Sequence, residues 1–334
     1  MKFKDIVGQK PIINSLRNII ENKSIGHAYI FSGPDGSGKS TVAFLFASSI
    51  MCMNNNADFY DKPCGKCHAC LMISDGNHPD LKFIADSGEK SISVETIREL
   101  QIDTGIRPLY TDRKIYIIKN GEKMTEQAQN CILKTFEEPN EYVTIIITTS
   151  NYQALLNTIR SRAVKYEFKP NTKQEIIEVL CKRDNKYSRE KALLAYNLSE
   201  GSIGKAIYVI DSQDFMALRQ KSIDIANRLL DCSMIECLEY VAFFETNANR
   251  LDDVLNIIIL WYRDLYAAAC GAKDDVLINF DNKDIILKNA DRVPPKRLYK
   301  ILHDIEYARE AIKRNVNFQL SVEYMLMMIR GETV

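Results

Sequence analysis

The chain has 334 residues, more than one ordinary hydrophobic core organises, so two or three domains are expected. Its 44 basic and 44 acidic residues cancel to a formal charge of zero, which excludes a global field that would drive tight nucleic-acid or membrane binding and leaves only local patches for that purpose. The opening Met1-Lys2-Phe3-Lys4-Asp5 lacks the apolar core of a signal peptide, and the longest apolar runs, such as 257–261, are too short to span a bilayer; a cytoplasmic chain without a membrane partner is expected.

In chain order, the first stretch that carries chemistry is His27-Ala28-Tyr29-Ile30-Phe31-Ser32, a short buried strand. Gly33-Pro34-Asp35-Gly36-Ser37-Gly38-Lys39-Ser40 follows, and then a helix over 41–51. Together these form a phosphate-binding loop. Gly33, Gly36 and Gly38 let backbone N–H groups, including that of Ser37, close around phosphates. Lys39 reaches the terminal phosphates, Ser40 offers a hydroxyl to Mg²⁺, and Thr41 opens the helix whose N-terminus faces the anion.

Next comes a cysteine-rich insert. Cys64, Cys67 and Cys70 form C-x-x-C-x-x-C, and with Cys52 they supply four thiolates for one tetrahedral Zn²⁺, with 54–63 as a polar loop across the site and Gly65 tightening the knuckle. His68 or His78 replacing one sulfur, and an iron–sulfur cluster, are the alternatives. The isolated Cys131, Cys181, Cys232, Cys237 and Cys270 read as core packing.

Strands are predicted at 81–84, 115–118, 143–148 and 164–168, with helices over 94–104 (capped by Ser91 or Ser93) and 125–137 between them. The 115–118 strand decides the chemistry. In a hydrolysing P-loop enzyme its end supplies an Asp for Mg²⁺ and often a Glu that polarises the attacking water, but here those positions are Lys119 and Asn120. A charged lysine cannot ligate Mg²⁺, and an amide is no general base. Glu122, two residues on, is the one nearby carboxylate able to rescue the function.

Around Lys169-Pro170-Asn171-Thr172 strand-like runs cease and helical periodicity takes over. The expected organisation is an α/β P-loop domain over 1–169, with a parallel sheet covered by helices on both faces and the cysteine insert at about 52–70. A small all-α domain follows at 170–211, with helices at 172–183, 188–198 and 202–210, and then an all-α domain at 212–334. Helices in this last part are predicted at 215–230, 234–246, 250–269, 283–291, 295–315 and 320–330.

Several motifs together resemble the bacterial clamp-loader family, AAA+ subunits of the DNA polymerase III holoenzyme, and within it the delta-prime branch. They are Asp5-Ile6-Val7-Gly8-Gln9, the strand and P-loop, the cysteine insert, 130–139 (Asn130-Cys131-Ile132-Leu133-Lys134-Thr135-Phe136-Glu137-Glu138-Pro139), Thr158-Ile159-Arg160-Ser161-Arg162 and the 315–323 segment. The resemblance runs the full length. It implies an AAA+ module, a three-helix lid and a helical collar that joins a hetero-pentameric ring with motor (gamma/tau) and delta subunits. It also implies work on the sliding clamp and primer–template DNA through that ring.

ATPase subunits of the family show Asp-Glu where this chain has Lys119-Asn120, and a Gly-Ser-x-Arg sensor arginine where it has Gly201-Ser202-Ile203-Gly204. Both departures remove charge used on a triphosphate. The resemblance therefore implies zinc, ATP or ADP held without hydrolysis, and Mg weakly held if at all. Val7 is placed near the adenine, and Arg162, in Ser161-Arg162-Ala163, is placed on a neighbour's ATP as a trans arginine finger; a guanidinium stays charged and can hold two phosphate oxygens. The chain then reads as no ATPase on its own but as a subunit of a DNA-directed DNA polymerase holoenzyme. The rivals are a hydrolysing gamma/tau-type motor subunit and an independent zinc-containing nucleotide kinase.

Overall fold

A computed structural model describes residues 1–54, 56–85, 91–183, 187–273 and 276–331. They form two compact units, Met1–Ala192 with Ser199–Ala206, and Leu193–Leu198 with Ile207–Val334.

The first unit is built on α1 (Lys10–Glu21), β1 (Ala28–Ser32), α2 (Lys39–Ile50), α3 (His68–Ser74), β2 (Leu81–Ile84), α4 (Val94–Thr104), β3 (Lys114–Ile118), α5 (Glu126–Glu137), β4 (Val143–Thr149), α6 (Asn157–Arg160) and β5 (Val164–Glu167). All five strands are parallel, in the order β2-β3-β4-β1-β5. Alternation explains why each central strand reads as a continuous apolar run. Tyr29, Phe31, Ile115, Ile117 and Ile146 pack with α1 and α2 on one face, while Ala28, Ile30, Tyr116, Ile118, Ile145 and Ile147 pack with α4 and α5 on the other. Doubly covered strands have no polar side to show.

The order reverses at β1, whose neighbours are β4 and β5, so the crevice beyond the carboxyl ends of these strands lies at a topological switch point. This is the AAA+ P-loop arrangement. α1 carries its apolar stripe at Ile12, Ile13 and Leu16 and has proline in its first turn. Ser93 and Thr125 cap α4 and α5 through Thr96 N–H at 3.3 Å and Ala128 N–H at 3.1 Å. Beyond the sheet come α7 (Lys173–Arg183), α8 (Arg189–Ser199) and α9 (Ile203–Asp211), the last capped by the Ser202 hydroxyl on Lys205 N–H at 3.0 Å.

The second unit contains α10 (Gln213–Arg228), α11 (Met234–Glu239), α12 (Val241–Thr246), α13 (Leu251–Ala269), α14 (Lys283–Ala290), α15 (Pro295–Lys313) and α16 (Phe318–Arg330). α13 is its axis, packed by α10, α14 and α15 and burying Ile258, Trp261, Tyr262 and Leu265 completely. Its Asp264, also fully buried, accepts from Ile278 N–H, Asn279 N–H and the Asn279 amide, which satisfies an otherwise costly charge. The single helix expected over 234–246 is two. At Tyr240 the ladder tightens to i→i+3 bonds, Tyr240 N–H to Cys237 O and Phe243 N–H to Tyr240 O, which separates α11 from α12. No helix among the described residues is long and apolar enough to cross a membrane.

Candidate functional site

The P-loop leaves β1 at Gly33, whose φ of +149° and tight fit against the Phe168 carbonyl exclude a side chain: a Cβ there would lie 2.3 Å from that oxygen. Gly38, at φ +92°, is the N-cap of α2, so Lys39, Ser40 and Thr41 form the first turn and their N–H end faces the loop. Ser37 is buried and its hydroxyl has no partner; Ser40 is exposed. Lys39 is turned back on its own loop. Its ammonium donates to Gly33 O at 2.6 Å and Pro34 O at 2.8 Å, with Asp35 at 3.6 Å. Burial lowers its pKa, against the opposing pull of Asp35 and Glu122.

β3 ends as expected in a non-acidic pair. Lys119 donates its backbone N–H to Ile84 O, and its ammonium lies 5.4 Å from the centre of the Phe83 ring; Asn120 takes the left-handed conformation at φ +54°. Glu122, on the short 3₁₀ turn Gly121–Lys123, directs its carboxylate to the end of β4, accepting from the Ser150 hydroxyl at 2.6 Å and Ser150 N–H at 3.3 Å. Burial would raise its pKa, but the hydrogen bonds from Ser150 and Thr149 outweigh it and hold Glu122 below the usual carboxylate range.

Two further segments close on the loop. Gly204 N–H donates to Gly36 O at 3.1 Å, and a Cβ on Gly204 would meet the Gly36 Cα at 3.1 Å. Where the family resemblance implies a sensor arginine in an ATPase subunit, this chain has a glycine-on-glycine contact. Val7 is half-buried beside Gly8, whose φ is +81°, and Gln9 fixes this turn by donating to Lys169 O at 2.6 Å. Asn171 lies against Gly8, is only 4% exposed, and has neither side-chain polar atom partnered. Nothing in the sequence pattern marked that buried amide, because asparagine after proline reads as a turn.

Arg162 follows α6 on the surface. Its guanidinium donates to Thr158 O and to Glu137 at 3.1 Å, and its side chain is 37% exposed. Arg160 is engaged differently, with Gln153, Asn157 and the Tyr152 ring. The structure therefore places Arg162 well away from a buried role and on a pair that is easily exchanged.

The four thiols of the insert come together. Sγ atoms of Cys52, Cys64, Cys67 and Cys70 all lie within 4.8 Å of one another, Cys64 and Cys70 being 3.9 Å apart. Tetrahedral zinc, with Zn–S near ~2.3 Å, sets sulfurs roughly 3.8 Å apart, so the donor set fits a structural Zn²⁺. Gly65, at φ +71°, makes the turn, and Cys67 N–H donates to Cys64 Sγ at 3.4 Å. Burial pushes the Cys52 and Cys70 thiols up; at Cys64 it is outweighed by the N–H groups of Lys66 and Cys67, and the thiol is pulled down to about 6.

His68 and His78 stand outside this set, both beside the Tyr110 ring, and His78 Nδ1 accepts from Asp80 N–H. The 54–63 stretch is not merely a polar loop: its 3₁₀ turn Phe59–Asp61 buries Phe59 in a stack on Phe3 with ring centres 4.3 Å apart. Among the isolated cysteines only Cys237 is buried, and Cys270 is exposed, so core packing holds for few of them.

Comparison with known proteins gives consistent matches. The family described as "DNA polymerase III, delta subunit" matches residues 8–172, and "DNA polymerase III, delta subunit, C terminal" matches residues 213–331. The Bacillus subtilis "DNA polymerase III subunit delta'" is 29% identical over 326 residues, 96% of this chain and 96% of that protein. The Haemophilus influenzae "DNA polymerase III subunit tau/gamma" is 31% identical over 232 residues, 68% of this chain but 33% of that protein. Among solved structures, a DNA polymerase III gamma subunit-related protein from Thermotoga maritima aligns with a TM-score of 0.41 and 19% identity, covering 95% of this chain and 98% of that one.

Proposed function

The chain belongs to the DNA polymerase III delta-subunit family, and on that premise we propose that it is a delta-prime-type subunit of the clamp loader, one that holds a ring together and does not hydrolyse ATP itself. The observation that carries this reading is the pairing of an intact P-loop with a β3 that ends in Lys119-Asn120. An ammonium resting over Phe83 supplies neither a Mg²⁺ ligand nor a base. The full-length likeness to the Bacillus subtilis protein supports the same assignment.

In this reading 1–169 is the AAA+ domain, 170–211 a lid and 212–334 a collar through which the chain joins gamma/tau and delta subunits in a cytoplasmic hetero-pentamer. The assembled ring acts on the sliding clamp and on primer–template DNA, where phosphate contacts from several subunits add. The P-loop residues 33–41, with Val7 near the base, hold ATP or ADP once Lys39 exchanges Gly33 O and Pro34 O for phosphate oxygens. Cys52, Cys64, Cys67 and Cys70 hold a structural zinc that fixes the insert. Arg162 leaves Glu137 and reaches the ATP of the neighbouring motor subunit, stabilising charge that develops on the transferred phosphoryl group.

The rival is a hydrolysing motor subunit, favoured by Glu122, whose carboxylate sits at the end of β4 and acts electrostatically on Lys39. Reconstitution with gamma/tau and delta separates the two. In the proposed function, Arg162→Ala leaves ring assembly intact, as read by size-exclusion chromatography, and lowers DNA-stimulated ATP turnover of the complex. Unchanged turnover would remove the trans-finger role, and turnover abolished by Glu122→Gln would favour the motor.

A further inference from the structure

At the N-terminal end of α15, within the second unit, lies a cavity of about 480 Å³ that opens to solvent. Its lining includes four cationic side chains, Lys296, Arg297, Lys300 and Arg330, with apolar Ile301 and Met328; among the described residues that line it none is acidic. Lys296 and Lys300 are one turn apart on α15 and so share a face. Neither makes an ion pair among the described residues.

The two guanidiniums are fixed in place. Arg297 donates through Nη2 to Arg330 O at 2.8 Å and Ile329 O at 3.3 Å, and Arg330 Nε donates to Cys232 O at 2.9 Å. All of Arg297's hydrogen bonds use Nη2, and its Nε is buried and unpartnered. Its Nη1 makes no hydrogen bond among the described residues and is the edge of the guanidinium left for an acceptor in the cavity. The positive N-terminal end of α15 meets the negative C-terminal end of α16 here, whose last carbonyls Arg297 caps, so the positive potential of the cavity comes from the side chains and chiefly from Lys296 and Lys300.

We propose that this cavity is an oxyanion site for a phosphate group carried by a nucleotide or a nucleic-acid strand. Lys296, Lys300 and the open edge of Arg297 leave the lining positive, and a phosphate monoester brings about −1.5 to −2 charges and three acceptor oxygens for that guanidinium edge and two ammoniums. The cavity is larger than a bare phosphate, and Ile301 and Met328 leave an apolar surface for the organic body that carries it. The site is separate from the P-loop and does not depend on the reading of that loop.

The test uses the full chain carrying Lys39→Ala, so that the P-loop does not contribute, titrated by calorimetry at low ionic strength with ATP and with a 5′-phosphorylated single-stranded oligonucleotide. At least one probe binds, and Lys296→Gln/Lys300→Gln weakens it about tenfold or more, with unchanged thermal melting. Binding of both probes identifies a free phosphate headgroup as sufficient; binding of the oligonucleotide alone assigns the site to a strand. The proposal fails if neither probe binds the parent, or if the double variant binds as tightly as the parent.

Discussion

Arg162 is expected to contribute little to folding, which separates its proposed role on a neighbour's ATP from stability. Its ion pair with Glu137 joins side chains that are 37% and 52% exposed, and such pairs contribute about 0–1 kcal/mol. Arg162→Ala is therefore expected to shift the urea unfolding free energy by less than about 1 kcal/mol, so any loss of turnover in the complex is not a folding defect. Asp103 is the opposite case. It accepts from Tyr116 at 2.6 Å, Lys82 at 2.9 Å and Lys114 at 3.0 Å, and Lys114 is only 5% exposed. Asp103→Ala leaves that buried ammonium without its counter-charge, with only the carbonyls Asp103 O at 3.0 Å and Ile106 O at 3.5 Å as acceptors, and a loss of about 3 kcal/mol is expected from urea unfolding.

The same residue gives a pH dependence. Burial would raise the Asp103 pKa, but hydrogen bonds from Tyr116, Lys82 and Lys114 prevail and depress it in the folded state. A depressed carboxyl contributes stability that is present above its unfolded pKa of about 4 and disappears as pH falls through the lower folded value. Melting temperatures should thus fall more steeply on the acid side of about pH 4 in the parent than in Asp103→Asn. Residue identity announced some of this and not the rest. The Lys119-Asn120 pair was legible because a charge type is written in the sequence. The retraction of Lys39 onto Gly33 O, the orphaned amide of Asn171 and the Arg162–Glu137 pair were not, since each depends on which distant backbone or side chain arrives beside it.

At the scale of elements, the insert is the piece whose order most depends on a ligand. The insert is anchored in the core by Phe59 and Ile73, but the knuckle between them is held by the four thiols, so zinc removal is expected to raise amide exchange in 64–71 while β1, β3 and β4 stay protected. A chelator assay should release one zinc per chain, and Cys67→Ser should lower that content. Coloured protein carrying iron would contradict the zinc assignment. The Gly36–Gly204 contact gives a second expectation. A Gly→Ala change in an exposed helix normally gains about 1 kcal/mol, but a Cβ at 204 meets backbone at 3.1 Å, so Gly204→Ala should give no such gain in urea unfolding.

Strands were easier to read than helices. β1, β3 and β4 are buried on both faces, so their apolar runs stand out, whereas α3 was hidden by the cysteine spacing and the break at Tyr240 leaves the apolar period of 234–246 almost undisturbed. The bounds of α2 also moved two residues toward the loop, to Lys39, because Gly38 in the left-handed conformation starts the helix earlier than its apolar pattern does.

At the scale of the molecule, two compact units divide the work: a parallel-sheet unit bearing the P-loop, and a helical unit organised around α13. In the proposed function, a sheet whose β3 runs into lysine and asparagine keeps the P-loop architecture without the acidic pair that a hydrolysing enzyme carries at that point. The most direct test is release of inorganic phosphate by the purified chain with saturating Mg-ATP. A non-hydrolysing subunit gives no release above the buffer rate and no difference between the parent and Lys39→Ala. Steady hydrolysis by the parent that Lys39→Ala abolishes would contradict the proposed function.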